Sequence, residues 1–205
     1  MSRLSSSLPR SRRALAALCA AGAVLVLAAC GPQDSGNGEV VVDQGYQSGD
    51  GSLRTWDVDE RGESVVLTGT DYDGNAVDTS VFAGDVVVLN TWYAACPPCR
   101  AEAQDLLDVA TDRADDGVHL IGINRTDDAG AAQAFEREFG ITWPSIDDRN
   151  GKAIATLAGV VPIKAVPTTV VLDQEGRVAA RVLGQIEKST LNALIDEVLA
   201  EGDDS

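Results

Sequence analysis

Two cysteines held apart by two prolines, Cys96-Pro97-Pro98-Cys99, are the residues whose type and spacing most directly suit chemistry. They follow Val86-Val-Val-Leu-Asn-Thr, an apolar run that reads as a buried strand, and the prolines stop that run at a turn or a first helical turn. The pair therefore sits where a strand hands over to a helix. Two thiols so placed are close enough to close a small disulfide ring, and the unpaired N–H groups and dipole of a helix start favour a thiolate. Thiol–disulfide exchange is the chemistry this arrangement serves. Cys96, nearer the helix start, reads as the more exposed sulfur and the attacking one, with Cys99 resolving the mixed disulfide. Pro98 disfavours helical geometry at Pro97, which predicts a stiffer loop than a Gly-Pro pair gives.

A Cys-x-x-Cys pair also serves metals. Structural zinc takes four ligands, and beyond Cys30 the one further Cys or His is His119, which lies in an apolar stretch and reads as a core or edge histidine. Copper stays open, because two soft thiolates bind Cu(I) without further help. A peroxidase needs one activated cysteine beside an arginine and a hydroxyl, which the paired cysteines argue against. Trp92, four residues before Cys96, reads as a shield beside the dithiol or as a core aromatic. Glu102 reads as a solvated helix residue, and the run Asp112 to Asp116 as a polar helix end.

The elements that must position the pair come from a chain of 205 residues, 44% apolar and 4% aromatic, so aliphatic side chains supply most of a core. Arg3, Arg10, Arg12 and Arg13 precede an uncharged run from Ala14 to Ala29, too short to span a membrane and suited to a signal peptide. The run ends in Leu27-Ala-Ala-Cys30-Gly31, which resembles a bacterial lipobox and implies cleavage before Cys30 and acylation of its sulfur. Ser11-Arg12-Arg13 matches a twin-arginine signal only in part, and the positive end of a general export signal explains it equally. With Cys19 removed and Cys30 lipidated, Cys96 and Cys99 remain as one close pair, which does chemistry and is no disulfide framework. Losing the four leading arginines leaves 12 basic against 32 acidic residues, a net charge of −20. That charge excludes a nucleic-acid footprint, and it repels anionic headgroups, so a lipid on Cys30 must do the holding at a membrane.

Residues 30–61 are rich in Gly, Ser, Asp, Asn and Gln and read as a flexible tether. Asp71-Tyr-Asp-Gly-Asn75 between Val65-Val-Leu67 and Ala76-Val77 predicts a small hairpin. After the dithiol, Leu106, Val109, Ala110 and Ala114 keep a helical stripe, Val118 to Ile123 suits a buried parallel strand, and Asp127 to Phe139 a helix ended by Gly140. A short strand over 141–146, a short helix over 151–159 and strands over 168–172 and 177–183 come next. The last helix carries Leu191, Leu194, Ile195, Val198 and Leu199 on one face, with Ser189 as its cap. The sum is an α/β domain over 62–205, a mixed central sheet with helices on both faces.

That order, with Trp92-Tyr-Ala-Ala-Cys96-Pro-Pro-Cys99, resembles the thioredoxin-like fold of exported TlpA/ResA-like thiol-disulfide reductases, over roughly residues 62–200. The 68 residues from Cys99 to Pro167 fit the family's central helix-strand insertion. The resemblance implies a cis-proline loop at Val166-Pro167-Thr168-Thr169 facing the dithiol, with the Val166 backbone pairing an extended substrate peptide. It also aligns Asp127 with a family carboxylate that handles protons, although Asp127 or Asp128 equally suits a helix cap. Asn90 stands where cytoplasmic thioredoxins bury an acid, and Ala95 replaces the usual tryptophan. By the same resemblance the expected function is a disulfide reductase at the extracytoplasmic face of the cell membrane, lipid-anchored and free of metal or organic cofactor. Its expected partners are a membrane electron donor and protein disulfides such as apocytochrome c. A disulfide-forming oxidase and a copper-binding lipoprotein of cytochrome oxidase assembly are the alternatives.

Overall fold

The computed structural model describes residues 52–162 and 164–203. The expected signal peptide over 1–29, Cys30 and most of the expected tether lie outside the described residues.

Strand β4 (Val86–Thr91) is buried at every position, which is why its sequence runs apolar without alternating. Parallel to it lies β5 (Val118–Asn124), with Val88 opposite Leu120; antiparallel on the other side lies β7 (Thr168–Leu172), with Leu89 opposite Val170. Adding β8 (Val178–Leu183), β6 (Ser145–Asp147) and β1 (Leu53–Thr55) completes a mixed sheet of order β1-β8-β7-β4-β5-β6. Successive β4 side chains then serve opposite faces. Val86 and Val88 pack with Leu106 and Val109 of α1 (Pro97–Asp112) and with Leu191, Leu194 and Ile195 of α4 (Lys188–Asp203). Val87 and Leu89 pack with Ile154 of α3 (Lys152–Ala155) and with Leu67 and Val77 around the hairpin of β2 (Thr68–Thr70) and β3 (Ala76–Asp78). The hairpin turn is closed by Asp71 Oδ1, which accepts the N–H groups of Asp73 and Asn75 at 3.0 and 2.8 Å. Helix α2 (Ala129–Phe139) and β6 form the central insertion, with Asp128 capping α2 and Gly140 ending it at φ 69°.

The structure departs from expectation at element ends, each time for a local reason. Helix α4 begins at Lys188, because the N–H of Leu191 bonds the carbonyl of Glu187; Ser189 is inside the helix and does not cap it. Strand β6 starts at Ser145 and not near Ile141, because Pro144 has no N–H to give a ladder. Helix α3 closes after four residues and continues as turns bonded i to i+3, such as Leu157 N–H to Ile154 C=O.

The domain boundary is also earlier than residue 62. Residues 53–55 pair with β8, Leu53 opposite Val182, inside the stretch expected as tether. Arg61 belongs to the fold too: its side chain is 3% exposed and bonds Asp173 at 3.0 Å and Glu201 at 2.7 Å. A buried cation with two carboxylate partners is satisfied only when all three stay, so the segment is locked to the β7–β8 turn and to α4. Arg61→Ala is expected to cost about 3–5 kcal/mol, because it removes a buried cation from beside the buried Asp173 carboxylate. The measurement is the urea midpoint of the unanchored domain beginning at residue 52.

Candidate active site

Cys96 is the N-cap of α1 and Pro97 and Pro98 are its first two residues, so Pro97 is helical despite the proline after it. Proline at these positions loses nothing, since their N–H groups have no partner within the helix. The N–H of Cys99 donates to the Cys96 sulfur at 3.2 Å, and the two sulfurs are joined, S–S 2.03 Å with Cα atoms 5.3 Å apart. The expected difference in exposure is absent: Cys96 is 1% exposed and Cys99 2%. Trp92, Phe135 and Ala103 pack around the pair, with Tyr72, Tyr93 and Val166 against the same cluster. Any order of attack therefore rests on Cys96 being the N-cap, where an N–H already points at its sulfur.

Trp92 is both a core aromatic and a neighbour of the dithiol. It is 4% exposed and stacks on Phe135, centroids 4.6 Å apart. It can lie there because residue 122 is glycine: a Cβ on Gly122 would stand 2.7 Å from Trp92 Nε1.

Facing the pair is a cis Val166–Pro167 bond, as the sequence motif implied. The loop is tied on both sides. Thr168 Oγ1 donates to the carbonyl of Ala165 at 2.9 Å, the Thr168 N–H donates to Thr91 Oγ1 at 2.8 Å, and Gly184 N–H bonds the Pro167 carbonyl at 2.9 Å.

Glu102 overturns its expectation as a solvated residue. It is fully buried, its Oε1 accepting from Asn90 Nδ2 at 2.8 Å and its Oε2 from the Ile186 N–H at 3.0 Å. Burial pushes its carboxyl up to about 7, against the lowering effect of those two donors. Asn90 also donates to Thr169 at 3.2 Å and lines, with Cys99, Ala103 and Trp143, a cavity of about 10 Å³, the space of one water molecule. Asn90 thus bonds Glu102 on one side and borders the cavity beside Cys99 on the other. The signal was present: Cys99, Glu102, Leu106 and Val109 fall on one helical face, which makes the acid part of the buried stripe.

Asp127 and Asp128 part company in the structure, and the cap falls to the second. Asp128 caps α2 through the Ala131 N–H at 2.9 Å. Asp127 instead reaches back to the dithiol loop, accepting the Ala94 N–H at 2.6 Å and Asn124 Nδ2 at 2.8 Å. His119 takes no part in this site: it is stacked on Phe82 at 4.0 Å and bonded to Asp85 at 2.9 Å. Among the described residues no three His, Cys, Asp or Glu side chains are grouped to hold a metal.

A mixed sheet of this order, with a cysteine pair opening the helix after its central strand and a cis-proline opposite, defines a thioredoxin-fold thiol-disulfide oxidoreductase. The chain belongs to the Redoxin family, which matches residues 57–195. It is 26% identical over 129 residues to the thiol-disulfide oxidoreductase ResA of Bacillus thuringiensis, covering 63% of this chain and 72% of that one. It is 31% identical over 133 residues to the thiol:disulfide interchange protein DsbE of Vibrio cholerae, covering 62% and 68%. The crystal structure of a DsbF homologue from Corynebacterium diphtheriae superposes with a TM-score of 0.68 at 35% identity, covering 76% of this chain and 98% of that one.

The packing and the charge of the site can each be measured. Gly122→Ala is expected to cost about 1–3 kcal/mol and to shift tryptophan emission, because Trp92 must move. Glu102 binds a proton more tightly folded than unfolded, so its contribution to stability is lost as pH rises from about 4.5 to about 7 and is flat above. Glu102→Gln should remove that slope, roughly 3 kcal/mol for one proton over the interval, in urea unfolding curves taken at each pH.

Proposed function

We propose that this chain is an extracytoplasmic disulfide reductase tethered to the cell membrane, and that Cys96 is its nucleophile. The observation that carries the choice of Cys96 is the Cys99 N–H donated to its sulfur at the start of α1, opposite the Val166–Pro167 loop. A thiolate at Cys96 attacks one sulfur of a substrate disulfide; that bond breaks and the other substrate sulfur leaves as a thiolate that takes a proton from water, as the second does on its release. Cys99 then loses its own proton and attacks Cys96, which releases the second substrate thiol and leaves the Cys96–Cys99 disulfide. The substrate has gained two electrons and two protons. Glu102, its carboxyl held at about 7, is part-ionised at neutral pH, and in that form it accepts the proton Cys99 gives up; Asn90, bonded to Glu102, lines the cavity beside Cys99. Val166 and Pro167 present backbone to an extended substrate, with Pro97, Pro98 and Trp92 forming the wall on the dithiol side. No metal or organic cofactor enters these steps.

The targeting signals support the location: a basic start, an apolar run over 14–29 and the lipobox-like Leu27-Ala-Ala-Cys30. A lipid on Cys30 is the anchor this reading gives the chain. The chain also enters its domain at the dithiol end of the sheet. The Ser52 carbonyl bonds the Leu183 N–H at 2.7 Å, and the next N–H, of Gly184, bonds Pro167. A membrane thiol donor must renew the electrons where no thiol buffer exists. Its substrates are exported protein disulfides, with apocytochrome c, through its own Cys-x-x-Cys-His segment, as the family's example.

One observation favours a second reading. An N–H aimed at the Cys96 sulfur stabilises the reduced form, and a stabilised dithiol makes the disulfide an oxidant. The reduction potential separates the two: about −270 mV marks the reductase and about −120 mV the disulfide-forming oxidase. Cu(I) titration of the reduced protein tests the copper-carrier alternative in the same samples. Cys96→Ser is expected to abolish insulin reduction, and Cys99→Ser to accumulate a mixed disulfide visible on non-reducing gels. Reduction that survives Cys96→Ser overturns the reading.

A further inference from the structure

Ala94, two residues before Cys96, is held at both of its backbone polar groups by side chains. Its N–H donates to Asp127 Oδ2 at 2.6 Å, and its carbonyl accepts from Arg100 Nη1 at 3.4 Å. Each holder is held in turn. Asn124, fully buried, donates to the same Asp127 oxygen at 2.8 Å and accepts the Thr126 and Asp127 N–H groups at 2.9 and 3.0 Å. Arg100 is ion-paired with Glu138, and its guanidinium carbon lies 4.9 Å from the centre of the Phe139 ring and 5.8 Å from that of Phe135. Asp127 stands just before α2, while Glu138 and Phe139 are its last two residues. One inserted helix therefore supplies the restraint on both sides of a single loop residue.

Ala94 matters because it leads into the nucleophile. The Cys96 N–H bonds the Tyr93 carbonyl at 3.1 Å, so the turn carrying Ala94 delivers Cys96 to its N-cap position. A shift in the turn moves the sulfur away from the Cys99 N–H. Asp127 meanwhile has Ala94 and Asn124 as its hydrogen-bond partners, and neither sulfur.

We propose that the two ends of α2 clamp Ala94 and thereby fix the Cys96 N-cap, with Asp127 and Arg100 as positioning residues and not proton carriers. The proposal rests on the reading of Cys96 as nucleophile, and it replaces the proton-transfer role that the family resemblance implies for Asp127.

The test uses the reduced full-length protein and two readouts, the pH midpoint of Cys96 alkylation by iodoacetamide and the rate of insulin reduction. Asp127→Ala and Asp127→Asn both remove the charge, but only asparagine keeps an oxygen for the Ala94 N–H. The expected result is a higher alkylation midpoint in D127A than in D127N, and reduction slowed about tenfold in D127A, the worth of one hydrogen bond to a charged group. D127N recovers most of that loss. Arg100→Ala is expected to slow reduction less, and D127A/R100A together to lose less than the product of the single losses, since both act on one residue. Should D127A not fold, R100A and its partial rescue by R100K carry the same comparison. Equal midpoints and equal rates in D127A and D127N overturn the clamp: both slow returns Asp127 to proton transfer, and both at the wild-type level leaves it no role. Losses that multiply in the double variant overturn the shared target. Cys96→Ser, run in parallel, reports failure of the nucleophile assignment separately, as reduction that persists without Cys96.

Discussion

The N–H of Cys99 reaches the sulfur of Cys96 because a central strand buried on both faces delivers α1 at one fixed place and angle. Strand β4 has no solvated face on which to slip. A shift of one residue against β5 or β7 would exchange Val86 and Val88 with Val87 and Leu89 between two different cores. Where the strand ends, Trp92 is pinned between Phe135 and the bare backbone of Gly122, and its own N–H bonds the Ile123 carbonyl at 3.1 Å. The short link from there to Cys96 thus starts from a fixed point. The helix then begins without a cost to its prolines, since the N–H groups they lack are ones a first turn leaves unpaired.

What the sequence made legible was whatever local pattern decides. The unbroken apolar run of β4, the dithiol at a helix start, the Asp-Gly hairpin turn and the apolar face of α4 each depend on residues within one or two turns of each other. The cis-proline loop was legible by motif, from Val166-Pro167-Thr168-Thr169, and not by physics, since a lone X-Pro bond favours trans. The element ends went astray for local reasons, whereas the larger failures share one cause, a partner elsewhere in the chain. Glu102 is buried because Asn90 and the backbone of Ile186 meet it, 12 and 84 residues distant. Arg61 is drawn from a polar stretch into the fold by Asp173 and Glu201, 112 and 140 residues distant. Leu53 to Thr55 form a strand only because β8 offers an edge. A helix N-terminus reads as an exposed place for Cys96, yet Trp92 and its neighbours cover it from other elements.

The two acids near the dithiol show why residue type alone does not assign a role. Glu102 has lost its water and keeps only two donors, so burial outweighs them and its proton is held near neutral pH. Asp127 sits partly open to solvent and is spent on a backbone N–H of the loop it steadies. The first is placed to exchange a proton and the second to hold a peptide. Tyr72, from the hairpin, packs against the dithiol cluster, its hydroxyl buried and without a hydrogen-bond partner among the described residues. Burial first, and then the charges of Asp147, Asp127 and Glu136, hold that phenol well above its usual range, so it keeps its proton throughout the working pH. It faces the dithiol cluster as a neutral wall. A phenol that stays neutral takes no part in proton exchange, for which Glu102, its carboxyl held at about 7, is suited.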